Sequence, residues 1–335
     1  MSPAELNHSR FDPSRTGGQY ESFYQRANHP TLPLAFWIRY TVFSPAGRPD
    51  DAIGELWAVY FDGVNGRHAV AKQEYPISEC SFARDDFRVW TGASELGVGR
   101  LHGACAGSGL GSRDALAWDL QYDGAAPPLF LLPQRLYRGG FPKAKSLVAY
   151  PSARYRGHLM VNGRTVVVTD WIGSQNHNWG SRHTDRYAFG QVAGFDDAPD
   201  SFLEIATAQA KIGPIRTPFL TFLVLRHAGR QHSLVSLREA FRARATYRPF
   251  KWTFESENDD ARVAGTIAAA PEAFVGLGYR NPPGGTKYCL NTKIGTCEVE
   301  LTEKATGARH VLRTRDRALF EILTDDLDHG IAIRA

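Results

Sequence analysis

The chain has 335 residues, 43% hydrophobic and 12% aromatic, enough to pack one large β domain or two ordinary ones. Charged residues make up 22% and the formal net charge is +4, with no Lys/Arg block of the kind that tracks phosphates, so nucleic acid is excluded as an expected partner. "MSPAELNHSRFDPSR" lacks an apolar signal core, and the longest apolar run, "PFLTFLVLR" from Pro218, falls well short of the ~18 residues of a membrane span. A soluble, cytoplasmic protein is the expectation.

In chain order, the polar and aromatic cluster "YESFYQRANHP" (Tyr20 to Pro30) precedes the first expected strand, "LAFWIRYTVF", which "ELWAVYFDG" and "DFRVWTG" follow. The glycine-rich "ELGVGRLHGACAGSGLGS" from Glu95 lacks the βαβ unit that a dinucleotide fingerprint needs, and reads as a loop or hairpin. "ALAWDLQY" alternates, with Leu116, Trp118, Leu120 and Tyr122 on one face. The proline-interrupted "PPLFLLPQRLYRGGFPKAKSLVAYPSARYRG" is the expected junction between two β domains, residues 1–155 and 156–335. In "GHLMVNGRTVVVTDW" two β-rich runs meet at Asn162-Gly163, a hairpin signal because both turn residues tolerate positive φ.

Further strands are expected in "RYAFGQVAGF", "SFLEIATAQAKI", "LTFLVLRHAG", "YRPFKWTFES", "RVAGTIAA", "TCEVELTEKATG" and "RHVLRT". "LVSLREAFRARA" reads as a short helix and "RALFEIL" as a second candidate. Many short strands with little crossover helix predict an all-β chain of antiparallel barrels or sandwiches. Cys80, Cys105, Cys289 and Cys297 show no CxxC and are expected as reduced, buried thiols, although Cys289 and Cys297 could meet across a hairpin.

The densest cluster is "DWIGSQNHNWGSRHTDRY", Asp170 to Tyr187. His177 and His183 stand six apart, a loop spacing with no third distant ligand, so no metal is expected. There is no GxSxG nucleophile elbow either. A site of inward-facing side chains is left. On "SFLEIATAQAK", Phe202, Glu204, Ala206, Ala208 and Ala210 share one face. A carboxyl in a row of small residues lining a barrel would be desolvated and suited to general acid work. His177 and Trp179 alternate, so both could enter one cavity while Asn178 turns away. The imidazole would pass a proton and the indole would steady a cation. Alternatively the pair plugs a barrel end. A last cluster, Gly278 to Cys297, carries Tyr279, Asn281, Lys287, Asn291 and Lys293 around a Pro-Pro-Gly-Gly turn.

An Asn-Gly hairpin, then a tryptophan and "NHNWG" (Asn176 to Gly180), resemble the motif of the carotenoid 1,2-hydratase group. That group lies within a superfamily of lipocalin-like double β-barrels with tocopherol cyclase-like, AttH-like and Diels–Alderase-like members. His177 and Trp179 match the family's His-x-Trp pair. Phe202 and Glu204 are nearest to its later aromatic-x-acid pair, and Asn176, Phe202 and Glu204 stand where the family has Asp, Tyr and Asp.

The resemblance implies two consecutive lipocalin-like barrels and a lyase or isomerase without cofactors. It would hydrate or cyclise a hydrophobic isoprenoid- or polyketide-like small molecule, with contact at a membrane surface for substrate uptake. Glu204, His177 and Trp179 would be catalytic. Trp171, Asn176, Phe202, Tyr187, Trp37 and Tyr279 would bind the substrate. A lipocalin-like carrier that holds such a ligand without turnover, and a structural protein with closed barrels, are the alternatives.

Overall fold

The computed structural model describes residues 2–107, 113–209, 211–212 and 215–335. The end of the glycine-rich stretch (108–112) and Ala210 lie outside the described residues. Among the described residues there are two large antiparallel sheets and two short α-helices, α1 (Pro3–Leu6) and α2 (Leu237–Arg242). The all-β expectation holds.

The first sheet begins with β1 (Gln19–Asn28), β2 (Leu34–Ser44), β3 (Ile53–Asp62) and β4 (Ala69–Pro76). A meander of β5 (Cys80–Phe82), β6 (Arg88–Thr91), β7 (Ser94–Gly97) and β8 (Arg100–Ala106) follows. It ends with β9 (Ala115–Asp123), the short β10 (Leu129–Phe130), β11 (Ala144–Val161) and β12 (Arg164–Gly180). The order is β4-β3-β2-β1-β12-β11-β9-β8-β7-β6-β5, and β4 packs back on β8 and β9, so the sheet nearly closes. Phe23, Phe36, Tyr40, Trp118, Tyr155 and Trp171 fill its interior.

The second sheet starts at β13 (Arg186–Ala193) and β14 (Phe202–Gln209). A two-residue ribbon, β15 (Lys211–Ile212) with β16 (Ile215–Arg216), stands apart from it. Next come β17 (Leu220–His227), β18 (Arg230–Leu234), β19 (Arg244–Arg248), β20 (Lys251–Glu257) and β21 (Ala261–Ala268). The chain closes with β22 (Val275–Arg280), β23 (Thr286–Glu303) and β24 (Arg309–Thr324). The order is β18-β17-β14-β13-β24-β23-β21-β20-β19, and α2 lies against β17 and β20. Leu203, Ile205, Trp252 and Phe320 belong to the core within.

Several local expectations change. The cluster "YESFYQRANHP" does not precede the first strand but is β1, buried along its whole length because one face meets its own barrel and the other the second sheet. The proline-rich stretch does not lie between the two sheets. Its second half is β11, whose register shifts at Val148/Tyr150 and Pro151/Ala153 absorb the proline as bulges. Both arms of the hairpin at Asn162-Gly163 (φ 50° and 80°) lie in the first sheet, so the sheets hand over at residues 181–185 rather than near 155. "LVSLREAFRARA" does form α2, opened by a Ser236/Glu239 capping box. "RALFEIL" is strand, because β24 is paired on both sides by β13 and β23. All four cysteines are free, and Cys289 and Cys297 lie on the same strand, β23, so no hairpin brings them together.

The sheets pack back to back. Tyr24, Trp37 and Val59 of the first meet Leu277, Tyr279 and Leu323 of the second, and Val148 and Ile172 meet Phe202 and Val224. One glycine is needed for β1 and β12 to pair at this seam: a Cβ on Gly173 would run into the Arg26 carbonyl oxygen. Gly173→Ala is therefore expected to cost on the order of 3 kcal/mol by forcing the backbones apart, read as a lowered urea midpoint; an unchanged midpoint would refute the close approach. No helix among the described residues is long and apolar enough to cross a membrane.

Candidate functional site between the two sheets

Strand alternation decides which side chains enter the seam. On β12, Ser174 and Asn176 bond across it to Gln191 on β13, while Gln175 and His177 bond to Asn7, Leu6 and Glu21 on the other side. On β14, Leu203 and Ile205 fill the second barrel, whereas Phe202 and Glu204 face the first sheet. Glu204 is thus buried as expected, but outside the barrel wall rather than within it. A back-to-back packing leaves neither sheet face for water, so a carboxyl on the outer face is desolvated all the same.

Glu204 is 1% exposed, and burial pushes its pKa up to about 7 against the weaker opposing pulls of Gln191, Arg26 and Arg226. Gln191 Nε2 donates to its Oε2 at 2.9 Å and to Asn176 Oδ1 at 3.0 Å. Gln191 Oε1 accepts from Arg26 Nε (2.9 Å) and Ser174 Oγ (2.7 Å), and Arg26 also donates to Asn28 Oδ1 (2.6 Å) and the Gln191 carbonyl (3.0 Å). The amide of Gln191 is therefore oriented by four groups and can offer Glu204 only its N–H side. The carboxyl is held in place in a form poised to give up a proton near neutrality.

A second ionic group lies in the same seam. Lys293 Nζ donates to Glu321 Oε1 at 2.9 Å, and Asn291 Nδ2 donates to the same oxygen at 2.9 Å. Tyr187 OH reaches Glu321 Oε2 at 3.4 Å. Beside this pair is a partly enclosed cavity of about 60 Å³, lined by Tyr20, Tyr24, Trp37, Arg39, Asn178, His183, Thr184, Tyr187, Tyr279 and Glu321. His183 lies against Tyr20 (centroids 4.1 Å apart), and burial, with Arg39 adding to it, pulls its pKa down to about 3. Tyr24 borders the cavity, and burial, with the charges of Glu321 and Glu204 adding to it, raises its pKa well above the usual range.

The structure gathers the expected residues into three places. Trp37, Tyr187 and Tyr279 line the cavity. Asn176 and Glu204 share the Gln191 network, with Phe202 packed nearby. His177, Trp179 and Trp171 lie on the opposite side of β12. There, Asn178, rather than His177 or Trp179, reaches the cavity, the reverse of the alternation expected from sequence. Trp171 is in the first barrel's core, stacked on Phe36.

His177 and Trp179 meet the N-terminal segment at the end of that barrel. His177 Nε2 donates to Glu21 Oε1 at 2.7 Å, its Nδ1 lies 2.9 Å from the Leu6 carbonyl oxygen, and its ring stacks on Phe23. Arg10 lies 3.8 Å above the Trp179 ring. Burial pulls the His177 pKa down, while Glu21, although buried, is held below the usual range by bonds from His177, Ser9 and Arg10. His177→Phe keeps the stacking but removes a donor from Glu21. It should cost about 1–3 kcal/mol in thermal or denaturant unfolding, and no cost would mean that the segment is held by other contacts.

Lys293 and the stretch holding Arg26 were noted from sequence as loop clusters, whereas Arg39, Gln191 and Glu321 were not singled out. The available signal was a lone polar residue inside an otherwise apolar strand, as in "LAFWIRYTVF" and "RYAFGQVAGF".

No family model matches the chain. An uncharacterized Mycobacterium tuberculosis protein, Rv0493c, is 28% identical over 296 residues, which cover 88% of this chain and 83% of the relative. Among solved structures, the chain shares its fold with an AttH-type protein of Nitrosomonas europaea (TM-score 0.56, 12% identity, 92% of this chain and 91% of that one). Kievitone hydratase of Nectria haematococca has the same fold (TM-score 0.56, 11% identity, 97% and 93%), as does CghA (TM-score 0.54, 10% identity, 96% and 95%). At these identities the likeness is one of fold, and it extends over both barrels.

Proposed function

We propose that the chain is a cofactor-free lyase or isomerase that protonates a hydrophobic small molecule at the seam between its two sheets, with Glu204 as the acid. The observation that carries the reading is a carboxyl 1% exposed, pushed up to about 7 and fixed by an amide whose other contacts are all satisfied. A group with that pKa is substantially protonated at neutral pH and can still part with the proton. Proton donation to a carbon–carbon double bond or a carbonyl needs no redox group. The cation that follows would be steadied by an aromatic side chain near the acid, of which Tyr24 is one, then trapped by water or by an internal nucleophile. That one protein with this fold is a hydratase supports the choice of chemistry.

The carrier reading predicts a ligand inside a barrel, as lipocalins hold theirs. Side chains of the two barrel cores occupy those interiors, which favours a site at the seam instead. The test is turnover of a panel of polyprenyl and polyketide-like alkenes in deuterated water. The wild type should place deuterium on product carbon and Glu204→Gln should not; equal incorporation by both would refute the assignment. His177 and Trp179 face away from Glu204, so in this reading they hold β12 and the N-terminal segment.

A further inference from the structure

Among the described residues, three that line the same cavity each carry a buried side-chain atom without a hydrogen-bond partner: Trp37 Nε1, Arg39 Nε and Asn178 Oδ1. Trp37 is 1% exposed and Arg39 4%. Native structures rarely leave such groups unsatisfied, because each costs the desolvation of a polar atom. Arg39 is the more unusual. Its Nη2 donates to Ser22 Oγ at 2.7 Å and its guanidinium lies 4.5 Å from the Tyr279 ring centre, yet among the described residues no carboxylate comes within ion-pair distance of it. Glu321, also on the cavity wall, accepts from Lys293 and Asn291 on Oε1, and its Oε2 lies 3.4 Å from Tyr187 OH. A buried cation and an indole thus line one cavity, and neither Arg39 Nε nor Trp37 Nε1 is matched by an acceptor of its walls.

We infer that this cavity is the binding site for the anionic oxygen head, a carboxylate or enolate, of a planar conjugated small molecule, held by Arg39 and Trp37. An arginine with a free N–H matches an oxyanion in charge and geometry, and Trp37 Nε1 supplies a second donor. Asn178 Oδ1, an acceptor, would take a hydroxyl or bridging water beside it. Tyr20, Tyr24 and Tyr279 present aromatic surface suited to a flat, conjugated body. A volume of about 60 Å³ holds a carboxylate group but not a whole isoprenoid, so the rest of the ligand leaves through the open side. The ligand is thus an amphiphilic acid rather than a pure hydrocarbon. This site goes beyond the acid assigned to Glu204 and does not depend on it.

The experiment is calorimetric titration of the full-length protein with trans-cinnamate, and with cinnamyl alcohol as the uncharged match. Cinnamate should bind saturably at one site, and the alcohol about tenfold or more weakly. Arg39→Gln should lower cinnamate affinity by roughly tenfold to a hundredfold. Trp37→Phe, which keeps an aromatic ring in place, should lower it several-fold, so the result does not hang on the folding of the arginine variant. Equal affinity for cinnamate and the alcohol, no saturable binding to the folded wild type, or wild-type affinity in Trp37→Phe would each overturn the assignment. Water alone would then fill the cavity. Loss of turnover in Glu204→Gln alongside such a failure would spare the proposed acid and remove only this site.

Discussion

Glu204→Gln is expected to make the protein more stable at pH 8 by roughly 3 kcal/mol while removing turnover. Burial raises the carboxyl from an unfolded value near 4.5 to about 7 in the fold. Below pH 4.5 both states carry the proton and the wild type loses nothing. Between 4.5 and 7 the unfolded chain ionises while the folded one does not, so stability drains away as pH rises, and above 7 the loss is complete. Glutamine imitates the protonated carboxyl and keeps an oxygen for Gln191 Nε2, so the variant escapes that loss. The wild-type and variant unfolding free energies should coincide at pH 4 and separate steadily up to pH 8. A constant difference across that range would mean that Glu204 titrates alike in the folded and unfolded chains, so that its pKa is not raised, and the acid assignment would fall with it. Stability gained with activity lost at one residue is the pattern of a site kept for function.

Removing one member of the buried pair should have the opposite sign. Lys293→Met leaves Glu321, 7% exposed, with a charge that Asn291 and Tyr187 cannot balance, and is expected to cost about 3–5 kcal/mol. Lys293→Met combined with Glu321→Gln removes both charges. It should recover most of that cost, since a desolvated pair contributes little beyond its own neutrality. A double variant as unstable as Lys293→Met alone would show that the ammonium over the Trp37 and Phe61 rings (Nζ 5.4 and 5.9 Å from their centres) matters more than its pairing with Glu321. Urea unfolding of the four proteins closes the cycle.

Much of the architecture was legible along the chain. The alternation in "ALAWDLQY" reappears as the alternating burial of β9, and Asn162-Gly163 turns the hairpin with both φ values positive. These signals are local: they depend on the period of a strand and on which residues tolerate a left-handed backbone. The hand-over between the sheets was not legible, because prolines that read as a linker sit at bulges of a long strand, which only the pairing of β11 with β12 reveals.

The site divides in the same way. That Glu204 is buried and that His177 and Trp179 share a face follow from composition and alternation, and each holds in the structure. Which space each face looks into does not follow. Period two says that Asn178 and His177 part company, but a strand has no sign for inside and outside until its sheet closes and meets another. Here the second sheet covers the outer face of β12. The even-numbered Asn176 and Asn178 therefore reach the seam, and His177 turns to the N-terminal segment. The residue types, the strand period and the hairpin were determined by sequence alone. The meeting of Arg26 with Gln191 and Glu204, and of Arg39 and Trp37 with Tyr279, was decided by tertiary structure, because β1 and β2 lie far along the chain from β13, β14 and β22 and these residues are desolvated only where the two sheets pack.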